Sequence, residues 1–300
     1  MKNILLLLLF FWVAATSAQP KSYDYAYLNK KGICVYSATE KKEYLISTTG
    51  QDPALSPDGT KLAYTDNGKN SDRFIVVIDL GTKKKTNLDT HNNNCYGAVW
   101  SRDGKMLAYS IFLGTKWAIA VINADNTGAK ILEKNTENCY SPVWITDGRA
   151  LMVQDGVNLK IVDFYGNVNK TVSLKTLEGG LPELKEMVGN ASSDKFMVTP
   201  DDRNIVFSTG TDEPGEGDGP PEAVFIYNVG SKKTLRLTPK GYSANEIALS
   251  GNTVLFTISK FKSSAFSINQ VDMDGKNYKI LFRNCSSVSV KLPHDYGEGL

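Results

Sequence analysis

Two short patterns of hydrophobic and polar positions recur along this chain. The first is an apolar strand that ends in a turn and is followed by a second strand, as in Ala54-Leu55-Ser56-Pro57-Asp58-Gly59 and Lys61-Leu62-Ala63-Tyr64. Proline presets φ and glycine accepts a left-handed conformation, so this turn is typical of two neighbouring strands. The second pattern is a β-branched strand followed by Asp or Asn and a glycine turn, which is typical of a hairpin.

Both patterns repeat in the same order at intervals of about 45 residues, with a longer interval between the fourth and fifth units, and periods of this size are typical of propellers and solenoids. Copies of the first pattern begin at Asp52, Gly97, Ser141, Phe196 and Ile247. Copies of the second begin at Phe74, Trp117, Leu159, Val224 and Phe266. Each unit therefore predicts four antiparallel strands, the outermost of them polar because charge protects an exposed sheet edge.

The two ends of the chain supply a sixth unit. Residues 25–28, 32–37 and 43–47 have the pattern of its three outer strands, and the inner strand is missing there. Residues 284–290 repeat the Asn-Cys start of two other inner strands. The sequence thus predicts an all-β, six-bladed propeller with four-stranded antiparallel blades, closed by a C-terminal strand that completes the N-terminal blade.

Two segments interrupt the repeats. Residues 177–194 form an insertion between the fourth and fifth units, in which residues 182–188 predict a short helical turn. Residues 209–222 are acidic and rich in Gly and Pro, and they join the second and third strands of the fifth blade. Their composition favours a disordered loop, with a lid or a cation site as the alternative.

Residues 1–18 have the layout of a secretory signal peptide. Lys2 precedes an apolar run over 4–15, and small residues stand before Gln19. The run is shorter than the roughly 20 residues of a membrane span, and no cysteine lies near the cleavage position. We expect residues 19–300 to form one propeller domain that is periplasmic or secreted, without a lipid anchor. The 34 basic and 32 acidic residues give no electrostatic reason to expect a nucleic-acid partner.

The repeated phrase, seen again in Val99-Trp100-Ser101-Arg102-Asp103-Gly104-Lys105, resembles the repeat of TolB-type six-bladed β-propellers. The resemblance covers residues 24–292 and implies an exported protein of the Gram-negative cell envelope. TolB carries a separate N-terminal α/β domain, whereas the repeats here begin almost directly after the expected signal peptide. Similar propellers accompany prolyl peptidases and some pectin-fragment lyases, so the fold alone assigns no function.

Several repeated residues have a structural interpretation. The aspartates of the turns, Asp58, Asp103, Asp147 and Asp202, are expected to accept backbone N–H groups of their own turns. Trp100 and Trp144 end equivalent inner strands and are expected to pack between blades. With only two histidines, His91 and His294, the chain offers no catalytic triad. We assign no catalytic residue and expect no metal and no cofactor.

The residues just before the inner strands have a functional interpretation, because in a propeller they surround the mouth of the central channel. Tyr96, Tyr140, Asp52 and Glu246 are therefore the predicted ligand-binding residues. The alternative is that they only pack the ring. Cys95 and Cys139 hold equivalent places on neighbouring blades, and an oxidising compartment permits a disulfide between them. Cys34 lies in an apolar strand and is expected to be a buried free thiol.

The sequence favours a monomeric, non-enzymatic propeller that binds a protein, peptide or glycan at the channel mouth. One alternative is a carbohydrate-active lyase or hydrolase with its site at the same mouth. The other is a cell-envelope assembly subunit without a ligand pocket.

Overall fold

The computed structural model describes residues 21–132, 134–145, 148–185, 194–214 and 220–292. The predicted signal peptide and His294 lie outside these ranges. The first three blades comprise β1 Tyr25–Asn29, β2 Gly32–Ser37 and β3 Lys42–Ser47; β4 Gln51–Leu55, β5 Lys61–Asn67, β6 Arg73–Asp79 and β7 Lys85–Asn87; and β8 Cys95–Trp100, β9 Met106–Phe112, β10 Trp117–Asn123 and β11 Lys130–Ile131. A single-turn 3-10 helix, Lys69–Ser71, precedes β6.

The other three blades have the same plan. Their strands are β12 Tyr140–Trp144, β13 Ala150–Gln154, β14 Asn158–Asp163 and β15 Val168–Ser173; β16 Lys195–Val198, β17 Asn204–Gly210, β18 Glu222–Asn228 and β19 Lys233–Arg236; and β20 Tyr242–Ser250, β21 Thr253–Lys260, β22 Phe266–Asp272 and β23 Lys279–Arg283. A last strand, β24 Cys285–Val290, joins the first blade. The described residues thus form six four-stranded antiparallel sheets, which confirms the predicted six-bladed propeller.

Ring closure is confirmed strand by strand. β24 pairs antiparallel with β1, with Tyr25 opposite Val290 and Asn29 opposite Cys285, so the sheet order is β24-β1-β2-β3. The closing strand is also bonded to both neighbouring blades. Ser287 N–H donates to Thr257 Oγ1 over 2.9 Å, and Leu55 N–H donates to Ser289 Oγ over 2.9 Å. The two chain ends therefore depend on each other for a complete ring.

The core consists of apolar layers between adjacent blades, because each sheet buries both faces against its neighbours. One buried cluster lies between each pair of blades around the ring. Between blades 2 and 3, for example, Ile75 and Val77 pack with Leu107 and Ile111. The β-branched strands of the second repeat pattern supply most of these residues, since such side chains fit a pleated surface covered on both sides.

The two repeat tryptophans connect neighbouring inner strands, as predicted. Trp100 Nε1–H donates to the Ala54 carbonyl over 2.9 Å, and Trp144 Nε1–H donates to the Val99 carbonyl over 3.0 Å. Both side chains are buried. Each indole therefore fills the gap toward the preceding blade and satisfies a main-chain acceptor on it.

The turn aspartates have the structural role that we expected, with one change of register. Asp58 Oδ1 accepts from Ser56 Oγ and Thr60 N–H, and Asp103 makes the same bonds in the next blade. In the fourth copy this residue is Asp201, which accepts from Thr199 Oγ1 and Arg203 N–H. Asp202 instead has φ of 56° and takes the place of the turn glycine. The prediction for Asp202 was wrong by one position, and Asp147 lies outside the described residues.

The insertion before blade 5 begins as a wedge between blades 4 and 5. It forms two 3-10 helices, Leu174–Glu178 and Pro182–Leu184, whose three leucines (Leu174, Leu177 and Leu184) join the apolar layer between these blades. Arg236 on β19 holds the insertion's second 3-10 helix in place. The guanidinium contacts the carboxylates of Glu183 and Glu213, and all three side chains are nearly buried. Glu213 belongs to the acidic loop, so one arginine fixes both interruptions of the repeat.

All four cysteines are buried free thiols, which confirms the expectation for Cys34. The predicted bridge between Cys95 and Cys139 is not formed in this structure. Cys95 packs in the layer between blades 2 and 3, whereas Cys139 packs in the layer between blades 3 and 4. Equivalent positions on successive blades point toward successive layers, so the two thiols do not face each other.

No helix in the described ranges is long and apolar enough to cross a membrane.

Candidate functional site

Five of the inner strands contain a β-bulge, and all five bulges lie toward the same end of the ring. The bulged residues have φ between 51° and 66° and are Asp52, Gly97, Ser141, Glu246 and Ser287. Pairing with the second strand of each blade shifts register at these positions. Such a conformation is strained for residues other than glycine, and bulges redirect side chains at sheet ends. We call this end of the propeller the mouth.

Buried hydroxyl groups support the bulges from behind. Thr65 Oγ1 donates to Asp52 Oδ2 over 3.0 Å and accepts from Gly97 N–H over 3.1 Å, which links blades 2 and 3. Thr257 supports the Ser287 bulge in the same manner. Since both threonines are buried on second strands, the bulges at Asp52, Gly97 and Ser287 are held from inside the blades and do not depend on exposed loops.

The inner strands enclose a cavity of about 280 Å³ along the propeller axis. All six blades contribute to its wall. At the mouth it is lined by Asp52, Gly97, Lys195, Glu246 and Ser287, and at the opposite end by Pro57, Arg102, Pro200 and Leu292. The wall between them is mainly apolar and includes Ala54, Val99, Val143, Met197, Ala248 and Val288. The channel is thus a narrow apolar space with charged groups at its entrance.

The charged groups of the mouth are mostly acidic. Asp52 and Glu246 line the cavity together with one cation, Lys195. The Glu246 carboxylate makes no hydrogen bond or salt bridge to any residue within the described ranges. Glu222 lies beside it and accepts from Asn245 Nδ2 over 2.8 Å. Burial raises the pKa of Glu222, and the negative charge of Glu246 raises it further, against the opposing effects of Asn245 and Lys195.

The structure separates the four predicted site residues into two pairs. Asp52 and Glu246 line the cavity. Tyr96 and Tyr140 each precede the bulged residue of their strand, are half-buried and are absent from the cavity wall. The ring of Tyr96 turns toward the gap between blades 2 and 3, where it packs edge-on against Trp117 with centroids 5.1 Å apart. The tyrosines therefore flank the mouth and do not line the channel.

Three residues of this end were not identified from the sequence. Lys195 holds the repeat position of Asp52 and Glu246, and a register extended one residue before Phe196 would have located it. Glu222 and Arg73 begin the third strands of their blades, where the repeat has no polar consensus. Only the folded ring places them at the mouth.

The described residues contain no group of three or more His, Cys, Asp or Glu side chains arranged to hold a metal ion. His91 is exposed, and its Nδ1 lies 2.9 Å from Asp89 Oδ1. This pair stands in the loop before β8 and does not line the cavity.

No family model matches this sequence, and a search of the curated proteins finds no match either. Solved structures do match. A protein assigned as TolB from Agrobacterium tumefaciens superposes with a TM-score of 0.65 at 19% identity, covering 92% of this chain and 96% of that one. TolB from Acinetobacter baumannii gives 0.61 at 15% identity, covering 90% of this chain and 66% of that one. The chain has the fold of a TolB-type propeller.

The same architecture also occurs outside the TolB proteins. A chain of the nidogen/laminin complex matches this TolB-type propeller with a TM-score of 0.60 at 12% identity, covering 90% of this chain and 98% of that one. At such identities the likeness shows the fold alone, and function has to be argued from the site.

Proposed function

We infer that this protein is an exported propeller that binds a segment of another polypeptide at the mouth of its central channel. The observation that carries this proposal is the cavity itself, which is apolar inside and charged at its entrance. Its volume of about 280 Å³ lies near the lower end of the range for ligand pockets, roughly 300–1,000 Å³. The space suits one or two side chains, or a chain end, of a partner whose remaining surface lies across the mouth.

The charges at the entrance favour a cationic group on the ligand. Asp52 and Glu246 face the cavity against the single ammonium of Lys195, and Glu222 adds a third carboxylate behind them. A carboxylate whose pKa is raised by burial destabilises the folded protein when it is ionised. Groups with perturbed pKa values are concentrated at functional sites, where they serve binding or catalysis. A lysine or arginine side chain, or a polypeptide N-terminus, would neutralise the excess negative charge while its apolar part entered the channel.

A polypeptide fits this site better than a glycan. Sugar rings bind on exposed aromatic faces, and the aromatic residues that line the channel, Trp100 and Trp144, are buried with their indole nitrogens engaged by neighbouring strands. Asp52 and Glu246 are the proposed primary contacts. Tyr96 and Tyr140 would contact the parts of the partner that lie outside the cavity.

A selection experiment tests the proposal. A phage-displayed library of random dodecapeptides is selected on the immobilised protein, and one enriched peptide is measured by fluorescence anisotropy. We expect enriched peptides to carry Lys, Arg or a free N-terminus, and Glu246→Gln to weaken binding by about fivefold or more, equivalent to about 1 kcal/mol. Asp274→Asn, which removes an exposed carboxylate far from the mouth, serves as the matched control. Failure to enrich any peptide, or equal affinity for Glu246→Gln and wild type, contradicts the proposal.

Export is tested separately, because the structure does not describe the N-terminal residues. The full-length chain is expressed in a Gram-negative host, and the N-terminus of the periplasmic fraction is sequenced. We expect the mature protein to begin at Gln19. A cytoplasmic protein that keeps residues 1–18 would contradict the expected signal peptide.

A further inference from the structure

Arg73 lies at the mouth end of the junction between blades 2 and 3, and its guanidinium is held in place by aromatic rings. Its central carbon lies 4.4 Å from the Tyr96 ring centroid and 5.2 Å from that of Trp117. Trp117 in turn packs against Phe112 with centroids 5.0 Å apart. Arginine stacks favourably on aromatic faces, so the two rings orient the plane of the guanidinium.

Hydrogen bonds fix the remaining freedom of this residue. Arg73 Nε–H donates to Asn94 Oδ1 over 2.8 Å, and the Arg73 backbone N–H donates to the Asn93 carbonyl over 2.9 Å. Asn94 also forms a parallel β-bridge with Arg73 across the two blades. The side chain is thereby held at its inner nitrogen, Nε. The two outer nitrogens, Nη1 and Nη2, form the free edge of the guanidinium.

Those outer nitrogens have no hydrogen-bond or salt-bridge partner among the residues that the structure describes. The adjacent carboxylate, that of Asp72, does not pair with the Arg73 guanidinium. Its Oδ1 accepts from Asn93 Nδ2 over 2.9 Å instead. Arg236 in blade 5 shows the contrasting arrangement, since its guanidinium contacts both Glu183 and Glu213. Where this fold uses an arginine as an internal clamp, it supplies the carboxylates, and at Arg73 it supplies none.

We propose that Arg73, framed by Tyr96 and Trp117, binds a carboxylate of the polypeptide partner through its two outer nitrogens. Arginine forms two parallel N–H···O bonds with a planar carboxylate, and a guanidinium that is already oriented loses little freedom on binding. Half-buried arginine and aromatic residues together have the composition of an interface hot spot. The inference rests on the proposed function, because it takes the partner to be a polypeptide.

Two sources of this carboxylate are available on a polypeptide, an acidic side chain and the C-terminus. Three blocked tripeptide probes distinguish them: acetyl-Gly-Glu-Gly-amide, acetyl-Gly-Gln-Gly-amide and acetyl-Gly-Gln-Gly with a free C-terminus. Binding is followed on the ¹⁵N-labelled protein through the Arg73 Nε–H and Trp117 indole N–H signals. We expect one or both carboxylate probes to shift these signals saturably with a Kd on the order of millimolar, and the neutral probe to leave them unchanged.

Variants of Arg73 test whether binding needs the oriented guanidinium or only a positive charge. Arg73→Lys keeps the charge but loses the planar donors and the stacking, and it should weaken binding by about fivefold or more. Arg73→Gln should abolish the response. Arg283→Gln, at an exposed position on β23, is the matched control and should bind as the wild type does. Unchanged indole N–H signals of Trp100 and Trp144, which donate to neighbouring inner strands and do not contact Arg73, report that each variant is folded.

Three results would overturn the inference. These are equal shifts with the neutral probe, equal affinity for Arg73→Lys and wild type, or no saturable shift at about ten times the expected Kd. Because dodecapeptide selection through Glu246 is independent of Arg73, selected peptides that still bind would leave the proposed function intact. Failure of the selection alone, with a response at Arg73, would instead contradict the channel-mouth proposal.

Discussion

Replacing Trp144 with phenylalanine tests how neighbouring inner strands are held together. The variant keeps an aromatic ring at a buried site but deletes the indole N–H that donates to the Val99 carbonyl over 3.0 Å. It also removes part of the surface that packs edge-on against Phe164, at a centroid separation of 5.7 Å. The first loss breaks a bond between blades 3 and 4, and the second loosens the apolar layer between them, in which Trp144 and Phe164 of blade 4 both pack.

The magnitude follows from these two contributions. Leaving one partner of a buried hydrogen bond unsatisfied costs about 1–3 kcal/mol. Phenylalanine is smaller than tryptophan and leaves a void at least as large as that of one deleted methylene. Such a void lowers the free energy of unfolding by about 0.5–1.5 kcal/mol. We therefore expect the free energy of unfolding to fall by about 2–4 kcal/mol. With a urea m-value of about 3 kcal/mol/M, the unfolding midpoint should fall by about 1 M.

Urea unfolding followed by far-UV circular dichroism measures this change, with Trp117→Phe as the matched control. Trp117 is half-buried, and its indole nitrogen makes no hydrogen bond to the described residues, so the same substitution there should cost less than about 1 kcal/mol. The reasoning is refuted if Trp144→Phe unfolds at the wild-type midpoint. It is equally refuted if the two variants lose the same stability, because the bond to Val99 would then contribute nothing.

Three further predictions concern other parts of the molecule. Leu177→Ala should lower the free energy of unfolding by about 2–5 kcal/mol, because Leu177 is fully buried in the wedge between blades 4 and 5, whereas Leu235→Ala, at an exposed position, should change it by less than about 0.5 kcal/mol in the same urea titration. The raised pKa of Glu222 means that the folded state binds this proton more tightly than the unfolded state does, so the contribution of Glu222 to stability should fall as pH rises from about 4 through the folded-state pKa. Glu222→Gln should remove that decline and be more stable at pH 7, and thermal midpoints across this range that coincide for the two proteins would contradict the assignment. Burial raises the pKa of all four thiols, so a chromogenic disulfide reagent should titrate none of them in the native protein and all four in denaturant without reductant; two missing thiols would instead indicate a bridge such as Cys95–Cys139.

The sequence predicted the fold because each blade repeats the same two local signals. Turns such as Ser56–Gly59 and the β-branched strands of each repeat specify where the chain reverses. These signals are local, so they do not depend on contacts with residues distant in the sequence. The closing strand was found in the same manner, since residues 284–290 repeat the start of other inner strands. Asp202 shows the limit of this reasoning, because a worn repeat with two consecutive aspartates left the register ambiguous by one residue.

The candidate site could be predicted only in part. Asp52 and Glu246 were identified because a repeat position carries them to the channel, and both line the cavity; that they bind a ligand stays a prediction. The left-handed bulges are not visible in the pattern, since the buried threonines that support the bulges at Asp52, Gly97 and Ser287 lie on other strands.

The sequence by itself determined the number of blades, the strands of each blade and the closure of the ring, because these follow from local periodicity and turn chemistry. The tertiary structure alone decided which side chains meet at the mouth. Tyr96, Arg73 and Trp117 belong to different strands of two blades, and they come together only because blade 3 packs against blade 2. Cys95 and Cys139 looked like partners along the chain, but successive blades direct them into different apolar layers. Contacts between blades depend on the rotation from one sheet to the next, and no local pattern of residues records that rotation.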